Sequence, residues 1–384
     1  MDEKRKNELF RRAARLALKA RPSPNPRVGA VFARGGRIIG EGFHARAGED
    51  HAEIAALKAA GAGARGSDLV VTLEPCPAWG RTPPCADALI AAGVRRVYVG
   101  CLDPNPAVAG GGIKRLRDAG IEVRLEEAQG AAGRLCGALI EEWRAFITTG
   151  LPFVRIKAAI SLDGKMAAAG GDSQWISCAA SRRRAHGMRA RHDAVMVGIG
   201  TVLRDDPLLT VRDFPWKGPP PARIIVDTHL RTPPSSRLVA TCREAPTLIA
   251  YGDGNGRELE RKGVELIRCA VDGKTGRVDL KRLLEKLARR SLTSILVEGG
   301  SALITSLVEQ SLADALTLFI APLLVGGRSA VPLLAGRDIA RISDAARLED
   351  VRVRRSGDDV MLEGRLVAAK KQACHTGGRL RSPR

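Results

Sequence analysis

The chain has 384 residues, more than one hydrophobic core usually serves, so two domains are expected. Its hydrophobic fraction of 45% excludes a chain that is disordered throughout. A formal net charge of +20 favours an anionic partner, either phosphorylated small molecules or nucleic acid, and the aromatic fraction of 3% argues against a single-stranded nucleic-acid groove built on base stacking.

Alternating helices and strands are predicted for the first part of the chain. Helical spacing of apolar residues indicates helices, and short apolar runs between turn residues indicate strands. In chain order the predicted elements are a helix at 4–20, strands at 28–32 and 37–42, a helix at 51–60, a strand at 68–73, a helix at 86–92, a strand at 96–99, a helix at 112–119, a strand at 121–124 and one long helix at 126–146. This order favours a three-layer α/β/α domain.

Gly150 and Pro152 break the helical pattern and predict a link between two domains. The predicted elements that follow are a strand at 153–160, a helix at 179–190, strands at 193–198, 223–226 and 246–251, a helix at 279–289, a strand at 294–297, a helix at 301–309 and a strand at 315–320. They indicate a second α/β domain. The expected domains are 1–148 and 151–368, and residues 369–384 form a basic tail that is expected to be disordered.

The targeting and cysteine patterns favour the cytoplasm. The charged N-terminal stretch has no apolar segment typical of a secretory signal, and no run of about 18 apolar residues could cross a membrane. The eight cysteines lack the dense spacing of a disulfide scaffold, which suits a reducing compartment.

One constellation predicts a metal site. His51, Cys76 and Cys85 provide one imidazole and two thiols, a ligand set that suits tetrahedral zinc and leaves one position for water. Glu53, two residues after the histidine, is then the expected proton carrier. A lone histidine or a cysteine pair is more often structural, but the conjunction favours zinc. Both cysteines are expected near helix starts, where the partial positive charge favours thiolates.

The spacing of the thiols separates classes of deaminase. Cytidine and tRNA adenosine deaminases place two residues between their cysteines, whereas residues 77–84 put eight between Cys76 and Cys85. Together with this loop, the strings SPNPRVGAV, HAEIAAL, LEPC, GRTPPCADALI and DPNPAVAGGG resemble the bifunctional riboflavin biosynthesis proteins, in which a pyrimidine deaminase is fused to a reductase. The second half agrees through KAAISLDGKMA, GDSQWIS, TVLRDDPLLTVR, VEGGSAL and IAPLLVGG.

The resemblance implies a fold and a function for each half. The implied fold is α/β, with an N-terminal cytidine-deaminase-like α/β/α domain followed by a dihydrofolate-reductase-like α/β domain. The implied reactions are zinc-dependent hydrolytic deamination of 2,5-diamino-6-(5-phosphoribosylamino)pyrimidin-4(3H)-one and NADPH-dependent reduction of the ribosyl group to ribityl. Within this pattern His51, Cys76 and Cys85 are the metal ligands and Glu53 is catalytic.

Further site residues are carried over on the same resemblance. The implied substrate contacts are Asn25, Ser173, Arg189, Leu209, Arg212 and Glu298. The implied cofactor contacts are Ile160, Trp175, Thr201, Asp205, Thr228, Gly300, Ser301 and Ala302. Taken without the family, Asn25 is equally well explained by an Asx turn, each arginine by a solvated surface charge, and the glycine pair before Ser301 by a plain turn.

Two alternatives stay open. Where the family commonly has a histidine near the substrate the chain has Ala78, so it could be a monofunctional reductase with an impaired deaminase site. The positive charge also leaves a nucleic-acid deaminase as a weaker possibility. The expected partner is a phosphorylated pyrimidine, without nucleic acid or membrane, and the chain is expected to form a homo-oligomer, either a dimer or a tetramer.

Overall fold

A computed structural model of the chain describes residues 1–77, 83–336 and 338–367. Ala78 and the basic tail at 369–384, both singled out above, lie outside the described residues. Within the described ranges, no helix has the length and apolar character needed to cross a membrane.

Helices and strands alternate through the first part of the chain. In order they are α1 (Glu3–Ala17), β1 (Gly29–Arg34), β2 (Arg37–Phe43), α2 (Ala52–Ala60), β3 (Asp68–Val71), α3 (Cys85–Ala91), β4 (Arg96–Val99), α4 (Gly111–Asp118), β5 (Glu122–Leu125), α5 (Ala131–Leu139) and α6 (Glu141–Thr149). The five strands form one sheet in the order β2-β1-β3-β4-β5. Strand β1 is antiparallel to β2 and β3, and β3, β4 and β5 are parallel.

One predicted element in this part is wrong. The long helix expected at 126–146 is two helices, α5 and α6. Gly130 has extended backbone angles and is the N-cap residue before α5, and Ile140 (φ −107°, ψ 11°) leaves the helical region between α5 and α6. Apolar periodicity continues across Ile140, so the pattern alone does not reveal the break.

The second part of the chain contains more elements than its pattern predicts. They are β6 (Phe153–Ser161), β7 (Lys165–Ala167), α7 (Ala179–Arg191), β8 (Ala194–Gly198), α8 (Ile199–Asp205), β9 (Ala222–Val226), α9 (Arg237–Ala240), β10 (Thr247–Tyr251), α10 (Arg257–Arg261), β11 (Glu265–Arg268), α11 (Leu280–Ala288), β12 (Ser294–Glu298), α12 (Ser301–Glu309), β13 (Ala315–Ala321), β14 (Val331–Pro332), β15 (Arg347–Ser356) and β16 (Asp359–Val367).

The chain divides into two compact units. The first comprises Met1–Arg155 and Arg182–Glu298, and the second comprises Ile156–Ser181 and the described residues from Gly299 onward. Besides the sheet of β1 to β5, the first unit contains parallel strands in the order β11-β10-β9-β8-β12. In the second unit β6 lies beside β13, which continues as the antiparallel set β13-β16-β15, and β7 pairs with β14.

Close packing of α2 on β2 places the metal-ligand candidates. The core around β1 and β3 contains fully buried Phe32 and Leu69. A Cβ added at Gly42 would lie 2.3 Å from the backbone nitrogen of Ala56, so only glycine lets α2 approach β2 this closely. This contact fixes the N-terminus of α2, where His51 is the N-cap residue.

Candidate functional site

Three ligand atoms converge in the first unit. His51 Nδ1 lies 3.2 Å from Cys85 Sγ and 3.6 Å from Cys76 Sγ, and all three ligand atoms lie within 4.8 Å of one another. Zinc with bonds of about 2.0 Å to nitrogen and 2.3 Å to sulfur in a tetrahedron separates its nitrogen and sulfur ligands by about 3.5 Å. The three predicted ligands therefore have the donor types and the spacing that zinc requires.

Each ligand sits where the chain enters or approaches a helix. His51 precedes α2, Cys85 is the first residue of α3, and Cys76 follows β3 after a short turn. The Cys85 thiol and the Cys85 backbone N–H both donate to Cys76 Sγ, and these hydrogen bonds hold the pKa of Cys76 well below its usual value. Hydrogen bonding to Cys76 raises the pKa of His51, while the hydrogen bond to Cys76 and burial raise the pKa of Cys85. Of the two thiols, Cys76 is therefore the one that loses its proton more readily.

Glu53 lies beside this cluster, on the first turn of α2. Its side chain is 3% exposed, and burial raises the pKa of Glu53 to about 7 against the opposing effect of His51. The carboxyl group is within hydrogen-bonding reach of the Cys85 thiol. A buried carboxyl group with this position can both accept and donate a proton near neutral pH.

Asn25 reaches the cluster through a second histidine. Its amide Nδ2 lies 2.9 Å from Nε2 of His44, and Nδ1 of His44 lies 3.0 Å from the carbonyl oxygen of Asp50. With Nδ1 donating to Asp50, Nε2 of His44 accepts from Asn25. The His44 ring packs edge-on against His51, with centroids 5.1 Å apart, and burial lowers the pKa of His44.

Glu74 supports the turn before Cys76. Its carboxylate accepts the backbone N–H groups of Asp103 (3.3 Å), Gly110 (2.9 Å), Gly112 (2.9 Å) and Ile113 (3.1 Å). The side chain is 4% exposed, so this buried charge is stabilised by four donors. Glu74 therefore acts as a structural acceptor that joins the metal-ligand turn to the start of α4.

A second set of predicted residues meets in the first unit. Arg189 donates from Nε and Nη2 to the two carboxylate oxygens of Glu298 at 2.6 and 2.9 Å, and from Nη1 to the carbonyl oxygen of Thr210 at 2.9 Å. Both charged side chains are largely buried. The pairing is bidentate, the geometry in which a guanidinium holds a carboxylate most firmly.

The position of Glu298 agrees with a general rule for parallel sheets. Glu298 ends β12, and the neighbouring parallel strand β8 ends at Gly198. On one side of β8 the sheet continues through β9, β10 and β11, and on the other side lies β12. The strand order therefore reverses between β8 and β12. Ligands of open α/β sheets bind at the carboxyl ends of strands at such a point.

The remaining candidates of the first unit have different environments. Leu209 is 3% exposed and has a positive φ of 51°. Arg212 is exposed, and its guanidinium makes no hydrogen bond or ion pair within the described ranges. Thr201 and Asp205 belong to α8, where burial raises the pKa of Asp205. Thr228 follows β9, and its hydroxyl accepts the backbone N–H of Val278 at 3.2 Å.

The second unit holds the other six candidates. Gly300 (φ 78°), Ser301 and Ala302 form the start of α12, and Ser301 Oγ donates to the carbonyl oxygen of Leu333 at 3.2 Å. Ile160 is buried in β6, Ser173 is half-buried and Trp175 is 69% exposed. The positive φ at Gly300 explains why glycine precedes α12.

Comparison with known proteins gives the family. The model of the cytidine and deoxycytidylate deaminase zinc-binding region matches residues 3–101, and the model of the RibD C-terminal domain matches residues 152–362. The riboflavin biosynthesis protein RibD of Aquifex aeolicus is 40% identical over 341 residues, which cover 88% of this chain and 92% of that protein. This chain belongs to the RibD family.

Solved RibD structures share the fold. RibD of Acinetobacter baumannii is 34% identical, with a TM-score of 0.82 over 95% of this chain and 100% of that chain. The diaminohydroxyphosphoribosylaminopyrimidine deaminase/5-amino-6-(5-phosphoribosylamino)uracil reductase of Thermotoga maritima is also 34% identical, with a TM-score of 0.81 over 95% and 99%. RibD membership confirms the predicted fold class, whereas the individual site residues and the domain limits stay predictions.

Sequence reasoning missed His44, which the structure places between Asn25 and His51. A lone histidine after β2 carries no spacing pattern of its own, so the sequence offered no distinct signal for it. His186 was missed for the same reason: its Nδ1 lies 3.1 Å from both the carbonyl oxygen of Thr210 and the backbone nitrogen of Arg212. In this RibD chain both histidines flank predicted substrate contacts.

Proposed function

We propose that this RibD chain catalyses two successive steps of riboflavin biosynthesis. The first is hydrolysis of the 2-amino group of 2,5-diamino-6-(5-phosphoribosylamino)pyrimidin-4(3H)-one, and the second is NADPH-dependent reduction of its ribosyl group to ribityl. The observation that carries the first step is the cluster of His51, Cys76 and Cys85 with buried Glu53 beside it. The second step is supported by the match of residues 152–362 to the reductase domain of the family.

In the deamination, His51, Cys76 and Cys85 would hold zinc. When bound there, zinc supplies Lewis-acid chemistry that lowers the pKa of water to about 7. Glu53 accepts a proton from the attacking water and donates it to the ring nitrogen beside C2. It then takes the proton of the new C2 hydroxyl and passes it to the amino group, which leaves as ammonia as the C2 carbonyl forms. Asn25, held by His44 at 2.9 Å, orients the pyrimidine through its amide.

When bound, NADPH would supply a hydride that forms a C–H bond at C1′ of the sugar while the C1′–O4′ bond breaks and O4′ takes a proton from water. The chain supplies position and charge. Arg189 already donates three N–H groups to Glu298 and Thr210, so its main role is to hold Glu298. The exposed guanidinium of Arg212 is the better candidate for the sugar phosphate, since it is not engaged elsewhere in the described residues.

The other carried-over residues complete the proposal. We assign Ser173 and Leu209 to the substrate, and we assign Ile160, Trp175, Thr201, Asp205, Thr228, Gly300, Ser301 and Ala302 to NADPH. Glycines and backbone N–H groups at the start of α12 suit a phosphate group. Of the first-unit candidates, Thr228 accepts the backbone N–H of Val278 with its hydroxyl oxygen, so its O–H group would be the donor to NADPH.

Coupled turnover tests the proposal. Purified zinc-loaded protein is supplied with the diaminopyrimidine phosphate and NADPH, and both ammonia and NADP⁺ are measured. We expect the two products in a one-to-one ratio. Absence of ammonia despite bound zinc would instead support a monofunctional reductase with an impaired deaminase site, the alternative raised by Ala78.

The partner and location predictions accompany this proposal. The exposed valines 351 and 353 of the terminal strand β15 support the expected homo-oligomer, whose size light scattering would measure. The seven cysteines within the described residues are free thiols, which suits the expected cytoplasmic location. Tight, saturable RNA binding at physiological salt in an electrophoretic shift assay would favour the nucleic-acid alternative.

A further inference from the structure

The loop at residues 21–27 connects α1 to β1 and carries Asn25. An arginine stands at each end of this loop, and both side chains are largely buried, with 7% of Arg21 and 11% of Arg27 exposed. A buried guanidinium is costly unless its N–H groups have acceptors. Where these acceptors lie therefore shows what holds the loop.

Arg21 binds carbonyl groups that are far away in the sequence. Its Nη1 donates to the carbonyl oxygens of His192 at 2.5 Å and Ala190 at 3.4 Å. Its Nη2 donates to those of Pro219 at 3.0 Å and Pro220 at 3.2 Å. All four acceptors belong to the part of the chain that matches the reductase domain.

Arg27 binds the same end of α7. Its Nη1 donates to Oε2 of Glu142 at 2.6 Å, and its Nη2 donates to the carbonyl oxygen of Arg191, the last residue of α7. The last carbonyls of a helix have no partner within the helix and carry partial negative charge. Two guanidinium groups from one loop thus satisfy the end of one helix.

Ser23 adds a third attachment. Its hydroxyl donates to Oδ2 of Asp193 at 2.8 Å, and the same oxygen accepts the backbone N–H and the hydroxyl of Thr293, each at 2.8 Å. Asp193 is 6% exposed and directly precedes β8. The loop is therefore held at both ends and near its middle, while Asn25 itself bonds to His44.

We infer that Arg21 and Arg27 are positioning residues for deamination, because they fasten the Asn25 loop to the end of α7. This inference rests on the proposed function, in which Asn25 holds the pyrimidine. The amide of Asn25 can orient a substrate only if its backbone is held relative to His44 and His51. Residues 21–27 belong to no helix or strand whose backbone hydrogen bonds could hold them in place. The hydrogen bonds of the two arginines hold the loop instead.

The end of α7 that holds the Asn25 loop also holds a residue proposed for the reduction. Arg189 lies in the last turn of α7 and holds Glu298, while the carbonyl oxygen of Arg191 accepts from Arg27. One helical turn thus supports a residue pair proposed for reduction and the loop proposed for deamination. The deamination site consequently depends on residues that the reductase family model covers.

The test compares three variants of the full-length, zinc-loaded chain. Arg27→Gln removes the bond to Arg191, and Ser23→Ala removes the bond to Asp193 with little change in charge or volume. Arg12→Gln is the matched control, because Arg12 lies within α1 and donates two 2.6 Å hydrogen bonds to the carboxylate of Glu41. In the described part of the chain its guanidinium makes no hydrogen bond to the loop at residues 21–27. Each variant is measured for zinc content, deamination, reduction of the deaminated substrate, and hydrogen exchange of the peptide containing residues 21–27.

For Arg27→Gln we expect the deamination KM to rise about tenfold or more while kcat changes little, since the contact of Asn25 with the pyrimidine is weakened equally in the ground state and the transition state and Glu53 is intact. Exchange in the 21–27 peptide should accelerate, and zinc content and reduction should match the unmodified chain. Ser23→Ala should shift KM and exchange in the same direction by a smaller factor. Arg12→Gln should leave all four measurements unchanged.

Several outcomes would overturn the inference. An unchanged KM in both loop variants would do so, as would faster exchange without any change in KM. A parallel loss of deamination, reduction and zinc would show that Arg27 serves only general stability. If Arg27→Gln does not fold, Ser23→Ala decides by the same measurements. Failure of the unmodified chain to release ammonia would instead refute the proposed function, and with it this inference.

Discussion

Glu53 illustrates how one residue's place in the fold determines its chemistry. Many carboxylates of this chain are exposed, but Glu53 is 3% exposed and lies beside the cysteine and histidine cluster on the first turn of α2. Burial raises the pKa of Glu53 to about 7, so the group can exist in either protonation state under ordinary conditions. Proton transfer requires a group with this property within reach of the reacting atoms.

Replacement of Glu53 by glutamine tests this role. Glutamine keeps the size and polarity of the side chain but cannot carry a proton, so we expect ammonia release to fall by about 100-fold or more. Zinc content, measured by atomic absorption, should stay at the level of the unmodified chain because the three ligands are intact. NADPH oxidation with the deaminated substrate should also persist.

Glu49→Gln is the matched control, since Glu49 lies only four residues away and its side chain is 52% exposed. It should deaminate at the unmodified rate. Loss of deamination and reduction together in Glu53→Gln would contradict two separate sites, and retention of deamination would remove Glu53 from the mechanism.

The ligands could be predicted from the sequence because their chemistry is selective and their spacing is local. His51 and Glu53 are two residues apart, and few sites other than zinc combine one imidazole with two thiols in this way. His44 and Arg27 could not be predicted in the same way. Their roles depend on contacts formed only after folding, such as the bond between Arg27 and Arg191, 164 residues away.

At the scale of elements, the C-terminal end of α7 joins several parts of the first unit. Its last turn accepts the loop arginines, and the residue just beyond it, His192, is buried against Glu142 of α6. Nδ1 of His192 lies 2.8 Å from the carbonyl oxygen of Met188, to which it donates. Burial lowers the pKa of His192, an effect that Arg155 and Arg27 reinforce and Glu142 opposes.

This environment predicts an acid-dependent loss of stability. The folded chain keeps His192 neutral below its usual pKa of 6.5, whereas the unfolded chain protonates it there. The unfolded state then binds more protons, so the stabilising contribution present above pH 6.5 is lost as the pH falls toward the folded-state pKa. For one proton the change is at most about 1.4 kcal/mol per pH unit.

Urea unfolding between pH 7.5 and 5.5 measures this effect. The midpoint of the unmodified chain should fall more steeply with acid than that of His192→Gln, which can still donate to Met188. His44 and His186 also have lowered pKa values, so the urea midpoint of His192→Gln should still fall with acid, but less steeply. His229→Gln, at an exposed position, is the control and should follow the unmodified chain. Equal slopes for all three proteins would contradict a neutral, buried His192.

Elements whose apolar residues recur with a clear helical or strand period were predicted, and elements without such a period were missed. Helix α12 and strand β4 have the predicted limits, because each has apolar residues on the expected face. Strand β15 was missed because its residues are exposed on both faces and include four arginines, so no period-two pattern of burial exists. Helix α8 was missed because its seven residues are too few to establish a helical period.

At the scale of the whole molecule, each compact unit is built from segments that are not continuous in the sequence. The first unit consists of two separate segments, Met1–Arg155 and Arg182–Glu298. It therefore contains the predicted deaminase part together with strands that lie much later in the sequence. Buried contacts such as those of Arg21 with His192 and of Ser23 with Asp193 account for this arrangement. The order of two α/β parts was readable from the sequence, but the contacts between them depend on pairs too distant for any local pattern.

The net charge of +20 predicts how both reactions respond to salt. A phosphorylated substrate is attracted by the positive field of the chain, and electrostatic attraction of this kind raises association rates by about 10-fold or more at low salt. The field extends over a screening length of about 30 Å at 0.01 M salt and about 8 Å at 0.15 M. We therefore expect kcat/KM for deamination and for reduction to fall together as salt rises across this range.

The control is each substrate without its 5′-phosphate, which should react more weakly but with little dependence on salt. Arg212→Ala separates the local contact from the general field: if Arg212 binds the phosphate, the variant should raise the KM of reduction and leave the salt dependence of deamination unchanged. Equal salt dependence for the phosphorylated and dephosphorylated substrates would show that salt acts on the protein itself. In that case the positive charge would not serve to attract the phosphate, and another anionic partner would have to explain it.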